Sequence, residues 1–232
     1  MARTPRCLVA TLDDPTLDRA TRHHLARVLR LRAGDPVELV DGRGGLARAR
    51  WSDDGTPQVD AREPPVAPHP APLWLAVAPP RPSRLDWLVE KAAELGVARL
   101  ILLETAYANR PVSPSRILRL QRKAHEALLQ CRRLHALVVE PGMPLEQLAE
   151  VRVDADLWVA APPPDGASPE EQATWPAAPT DRPLLVVVGP EGGLAPDEST
   201  WLASQGAHPV GLGSGVLRVE TAALAIAARR AR

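Results

Sequence analysis

The chain has no phenylalanine, one tyrosine and six tryptophans in 232 residues, and aromatic side chains make up only 3% of it. Its core must therefore be built from leucine, valine and alanine. Trp74, Trp87 and Trp201 fall in expected regular elements and read as core or interface. Cysteine is scarce: Cys7 and Cys131 form neither a metal pattern nor a disulfide framework. The six histidines are scattered without metal-ligand spacing, so no metal is expected. No apolar run approaches the ~20 residues of a membrane helix. The opening MARTPRCLVATLDDPT lacks the apolar stretch of a signal peptide. These absences lead us to expect a cytoplasmic protein without membrane contact. Lysine is rare too, with only Lys91 and Lys123 among the 28 cations.

Net charge is also missing, with 28 Lys+Arg against 28 Asp+Glu. Taken whole, that balance argues against a polyanionic partner. It is a cancellation between segments. Residues 1–62 carry 11 basic and 9 acidic side chains, residues 81–133 carry 11 and 5, and residues 134–232 carry 6 and 13. The basic middle segment is a reason to expect an anionic partner.

What is present begins with proline. Glu63–Pro72, EPPVAPHPAP, holds five prolines in ten residues, which excludes helix and interior strand and marks a linker. Before it, Asp18–Leu31 reads as a helix with Leu25, Val28 and Leu29 on one side. Pro36–Val40 and Leu46–Trp51 read as strands joined by a turn at Asp41-Gly42 and Gly44-Gly45, with Val59–Arg62 as a third. After the linker, strands are expected at Leu73–Ala78, Leu100–Leu103, Leu137–Val139, Leu157–Ala160, Leu184–Val188 and Pro209–Gly211. Helices are expected at Arg84–Leu95, from Pro114 to about Cys131, at Pro196–Gln205 and from about Glu220 onward. Residues 161–180 read as a loop. Alternating helices and near-continuous apolar strands indicate an α/β domain with a parallel sheet. The expected division is 1–68 and 72–232.

Two glycine-rich strand ends carry the chemistry. In LLVVVGPEGGLAPDE, a buried strand runs through Gly189–Gly193 into a helix starting at Pro196. In parallel α/β folds ligands bind at the carboxyl ends of strands, and glycines let backbone amides approach them. The residues alone admit a ligand loop or merely a tight strand-to-helix connection. They exclude a P-loop and a dinucleotide fingerprint, because neither spacing is present. The second stretch, GLGSGVLRVETAA, repeats the arrangement before the last helix and adds Arg218 and Glu220 in apolar company. A structural pair is the plainer reading of those two charges.

GPEGGLAPDE at 189–198 and LG…VLRVETAAL at 212–224 resemble the two C-terminal signatures of RsmE-type methyltransferases. These SPOUT-class enzymes methylate N3 of a uridine in small-subunit ribosomal RNA. The resemblance extends to Lys91–Val97, Arg110 and Gln130-Cys131-Arg132-Arg133, and to His24–Arg30 with Gly34-Asp35 and Asp41-Gly42 in the first module. It implies a trefoil-knotted SPOUT methyltransferase domain behind a small N-terminal PUA-like β-barrel that binds RNA. It further implies S-adenosylmethionine as cofactor, a homodimer, and 16S ribosomal RNA or the assembled small subunit as partner, with uridine 1498 as target. A related enzyme acting on another RNA, such as tRNA, and a catalytically silent RNA-binding paralogue are the alternatives.

By similarity, the cofactor is expected at Ala160 and Ala161, at Val188, Gly189, Pro190, Gly192 and Gly193, and at Leu212, Gly213, Val216, Leu217 and Arg218. Arg218 is expected to stabilise the uracil anion, with Glu220 orienting Arg218 or helping to remove the proton. Arg22, Arg27, Arg30, Lys91, Arg110, Gln130, Arg132 and Arg133 are the expected RNA contacts, with Arg116, Arg119, Arg122 and Lys123 extending the basic track. The chain departs from the family where Gly215 replaces a usual Arg and Leu129 an acidic residue.

Overall fold

The computed structural model describes residues 4–108, 111–152, 154–161, 181–213 and 215–230. The expected loop at 161–180, apart from Ala161, and the expected contact Arg110 lie outside them. Two compact units form, Met1–Pro68 with Leu128–Ala136, and His69–Ala127 with Leu137–Arg232.

The first unit is a four-stranded sheet in the order β1 (Arg6–Leu8), β2 (Pro36–Val40), β3 (Leu46–Trp51), β4 (Pro57–Arg62). β1 runs parallel to β2, and the other neighbours are antiparallel. Alternation in β3 explains its faces: Ala47, Ala49 and Trp51 are buried with Cys7, Leu25, Val37 and Leu39. Between them Arg48 and Arg50 face outward to Glu63 at 2.7 Å and Asp60 at 2.8 Å. Burial among those side chains pushes the Cys7 thiol up to about 11.

The helix expected over Asp18–Leu31 is shorter and changes type. Asp18 caps α1 (Arg19–His23), accepting the Thr21 N–H at 2.7 Å. The chain then widens into a π-turn over His24–Val28, with the Leu29 N–H donating to the His24 carbonyl five residues back. The wider turn breaks the 3.6-residue alignment. Leu25 stays buried, whereas Val28 and Leu29 are 61% and 45% exposed.

Segment 128–136 belongs to this unit because its backbone pairs with the β2–β3 turn. Ala136 N–H donates to the Gly42 carbonyl and Gly44 N–H to the Leu134 carbonyl, both at 2.9 Å. A positive φ of 103° and the Val66 carbonyl, 2.1 Å from where a Cβ would stand, both require glycine at position 44.

The second unit is a six-stranded parallel sheet, with strands β5 (Leu73–Val77), β6 (Arg99–Glu104), β7 (Val138–Pro144), β8 (Asp156–Ala160), β9 (Leu184–Val188) and β10 (His208–Val210). Their spatial order is β10-β8-β9-β5-β6-β7. Helices α2 (Pro82–Leu95), α3 (Pro114–Cys131), α4 (Leu148–Val151), α5 (Pro196–Ser204) and α6 (Val219–Arg230) complete the chain. Alternate strand residues feed two cores. Leu75, Val77, Leu100, Leu102, Val186 and Val188 pack with α2 and α6, while Ala76, Ile101, Leu103, Leu185 and Val187 pack with Leu148 and Leu202. Covering both faces is what makes the strands read as unbroken apolar runs, and all of β9 is buried. α2 ends where Gly96 takes a left-handed φ of 81°.

β7 runs five residues beyond its expected end. Glu140-Pro141-Gly142 reads as a turn, but an edge strand tolerates proline, and a bulge opposite Ile101/Leu102 absorbs the irregularity. Among the described residues no helix is long and apolar enough to cross a membrane, and no group of three His, Cys, Asp or Glu could hold a metal ion.

Candidate active site

Adjacent strands β10, β8 and β9 carry their three C-terminal loops to one edge of the sheet. Between these loops lies a cavity of about 820 Å³. The first wall is Ala160 and Ala161, at the end of β8. The second is Val188, Gly189, Pro190, Gly192 and Gly193, after β9. The third is Leu212, Gly213, Val216, Leu217 and Arg218, after β10. All twelve expected cofactor residues thus line one cavity.

The second wall is tightly built. A Cβ on Gly189 would stand 3.0 Å from Leu194 Cγ, and Gly193 holds a φ of 79°. The following helix starts without a hydroxyl cap, since Ala195 offers only a methyl group. Glu198 supplies the return half of a capping box instead, with Oε2 accepting the Ala195 N–H at 2.8 Å. Its other oxygen, Oε1, accepts the Ala106 N–H at 2.8 Å from the loop after β6.

Arg218 is exposed and precedes α6, its carbonyl accepting the Ala222 N–H at 2.9 Å. The pairing expected between Glu220 and Arg218 is not formed. Glu220, 2% exposed, instead faces Arg84 of α2, with Oε1 at 3.6 Å from Nε. The reason is helical geometry: Glu220 lies inside the first turn of α6, on the side packed against α2 and β5, while Arg218 lies before the helix.

Two segments match models of known families: residues 67–230 match an RNA methyltransferase domain and residues 17–63 an RNA methyltransferase PUA domain. The chain is 34% identical over 217 residues to ribosomal RNA small subunit methyltransferase E of Mycobacterium bovis, covering 86% of this chain and 79% of that protein. The chain belongs to the ribosomal RNA small subunit methyltransferase E family. The Synechocystis member is 30% identical over 209 residues, 89% of this chain and 69% of its own. A probable rRNA methyltransferase from Porphyromonas gingivalis superposes with a TM-score of 0.82 at 26% identity, over 96% of this chain and 95% of that one. The Neisseria gonorrhoeae family member, solved with S-adenosylmethionine bound, shares the fold with a TM-score of 0.82 at 22% identity, over 98% and 96% of the two chains.

The expected RNA contacts fare unevenly. In the first unit Arg22, Arg27, Arg30, Gln130 and Arg133 are exposed. Arg132 is bound to Glu38, which also takes Arg6 at 2.8 Å. In the second unit Lys91 lies 2.9 Å from Glu90 and 2.8 Å from Glu94. Hydrogen bonds to Glu94 and Glu90 push its ammonium up to about 12. Asp86 takes Arg116 and Arg119, each at 2.7 Å, and Glu90 takes Lys123 at 3.2 Å. Several cations of the middle segment are therefore engaged by acids of α2, which its count of 11 basic against 5 acidic side chains already includes. The segment's charge count could not show which cations these are, because the partners of Arg116, Arg119 and Lys123 lie 30 or more residues away along the chain.

Sequence reasoning missed the wall contributed by α5. Ser199, Leu202 and Ala203 line the cavity, joined by Ala207 and Pro209. The signal was present in the i, i+3, i+4 spacing of those three positions, which puts them on one helix face.

Proposed function

We propose that the chain transfers the methyl group of S-adenosylmethionine to N3 of a uridine in small-subunit ribosomal RNA, with uridine 1498 as the expected position. The observation that carries this reading is the cavity enclosed by the three loops at the ends of β8, β9 and β10. Among the described residues its lining is alanine, valine, leucine, proline and glycine, with Glu191, Ser199 and Arg218 the only polar side chains. Such a surface fits the flat apolar faces of an adenosine, and the glycine backbones leave amide groups within reach of its polar edge. The bound cofactor would supply a sulfonium methyl group as the electrophile.

The residues of the chain would then have three tasks. The second loop and Leu202 hold the cofactor. Arg218 donates to the uracil oxygens and stabilises the anion left when the N3 proton departs to solvent. A cation just before a helix opposes the helix dipole, which favours negative charge at that end. Arg218 therefore stands where an arriving anion gains from both. Glu220 is a positioning residue in this scheme, since its pairing with Arg84 fastens the first turn of α6 under Arg218. A trefoil knot, a homodimer and a cytoplasmic setting belong to the same proposal. The return of α6 onto α2, β5 and β9 supports a threaded C-terminus. Residues 1–68 would act as the RNA-binding domain and 72–232 as the methyltransferase.

Incubation with labelled S-adenosylmethionine and small subunits, free small-subunit RNA or tRNA, followed by nucleoside mapping, tests the reading. The expected product is 3-methyluridine in small-subunit RNA alone. Labelled tRNA, or no label above background, would overturn it.

A further inference from the structure

We propose that Tyr107 is an aromatic platform for a nucleobase of the RNA substrate, and that Glu198 positions it. The inference rests on the function proposed above and assigns a contact outside the three cofactor loops. Tyr107 is the only tyrosine in a chain without phenylalanine, and it is 57% exposed. It follows β6, at the sheet edge that also carries the cavity loops. A Cβ on Gly192, itself part of the cavity wall, would lie 3.5 Å from Tyr107 Cβ and 3.8 Å from Cγ and Cδ2. The side chain therefore abuts the cavity wall at Gly192 and is more than half exposed.

Its placement is fixed by backbone. The Ala108 N–H donates to the Thr105 carbonyl at 3.0 Å, so Ala106 and Tyr107 form the corner of a turn. Glu198, 7% exposed, binds that corner through Ala106 with one oxygen and the start of α5 through Ala195 with the other, both at 2.8 Å. Capping α5 needs only one of those bonds. The second joins residues 92 positions apart and locks the Tyr107 turn to the loop that lines the cavity.

The occupant follows from the chemistry. N3 of a uracil lies on its pairing edge, so the target must be unpaired before it meets the methyl donor, and taking it out of the helix also costs stacking. Proteins offset that loss by stacking bases on exposed aromatic rings. Val216 and Leu217, 88% and 38% exposed on the third loop, leave further apolar surface at the cavity.

Binding of small-subunit RNA by fluorescence anisotropy, with cofactor binding by calorimetry, tests the platform without requiring turnover. Tyr107→Ala should weaken RNA binding roughly tenfold, and Tyr107→Trp should restore it, while cofactor affinity stays unchanged in both. Glu198→Gln, which keeps one acceptor but presents an amide to the second N–H, should weaken RNA binding in the native background. It should have no further effect when Tyr107 is already alanine. Unchanged RNA affinity in Tyr107→Ala would overturn the platform, as would a matching loss of cofactor affinity. Equal effects of Glu198→Gln in both backgrounds would reduce Glu198 to a helix cap and overturn its positioning role. A wild-type protein that binds the RNA through Tyr107 yet methylates nothing would fault the proposed reaction and leave the platform standing.

Discussion

The two glycine-rich loops look alike in sequence and behave oppositely in space. After β9, Gly189 abuts Leu194 and Gly192 abuts Tyr107, so the loop is wedged between neighbours. After β10, a Cβ added to Gly213 or Gly215 would meet nothing within 4 Å, and Val216 is 88% exposed. Glycine serves close packing at Gly189 and Gly192 of the first loop, whereas Gly193 there and Gly213 in the second hold positive φ values of 79° and 115° in open space.

Substitutions should separate the two. Arg218→Ala, in the open loop, should lower turnover by about 100-fold or more at saturating cofactor and RNA, the usual cost of losing one donor to a developing anion. Single-turnover methylation reads this, and full turnover would remove Arg218 from the chemistry. Gly189→Ala, in the packed loop, should weaken cofactor binding roughly tenfold, because overpacking costs about 1–3 kcal/mol. Calorimetry should also find affinity regained when Leu194→Ala opens the space. Gly215→Ala should stabilise the fold by about 0.4–1 kcal/mol, since an unstrained glycine mainly loosens the unfolded chain. A thermal melt showing destabilisation would mean that this loop is as constrained as the other.

The smallest effect lies away from both loops, neither of which contains histidine. His125 of α3 is held below its ordinary value by burial. Its contribution to stability is complete above the unfolded value of 6.5 and falls as pH drops toward the lower folded value. Below that value both states are protonated and the loss levels off. Urea midpoints between pH 5 and pH 7.5 should show this slope in the native chain and not in His125→Gln.

Local chemistry made much of the fold readable. Ser113 before Pro114 marks the start of α3, Gly96 marks the end of α2, and unbroken apolar runs mark strands buried on both faces. Readability failed where a long-range partner overrode a local signal. Glu140-Pro141-Gly142 has turn composition, yet pairing with β6 keeps it in an edge strand. Val28 and Leu29 have helical spacing with Leu25, yet a π-turn carries them into solvent. In the site, the residues of the second and third loops could be named from their motifs and all lie on the cavity. The helical spacing of Ser199, Leu202 and Ala203 marked one face of α5 but not what it faces, and the reach of Glu198 to Ala106 left no local signal, because both depend on which strands are neighbours.

The sequence alone therefore determined the alternation of elements, the two glycine loops and the family, since each is written in residues adjacent along the chain. Tertiary structure decided which charges are spent and which remain available. Glu220 meets Arg84, Asp86 meets Arg116 and Arg119, and Glu38 meets Arg6 and Arg132. Electrostatic pairing acts over a few ångströms whatever the separation along the chain. A net charge of zero, or a basic run in its middle, becomes a surface only after folding has chosen the partners.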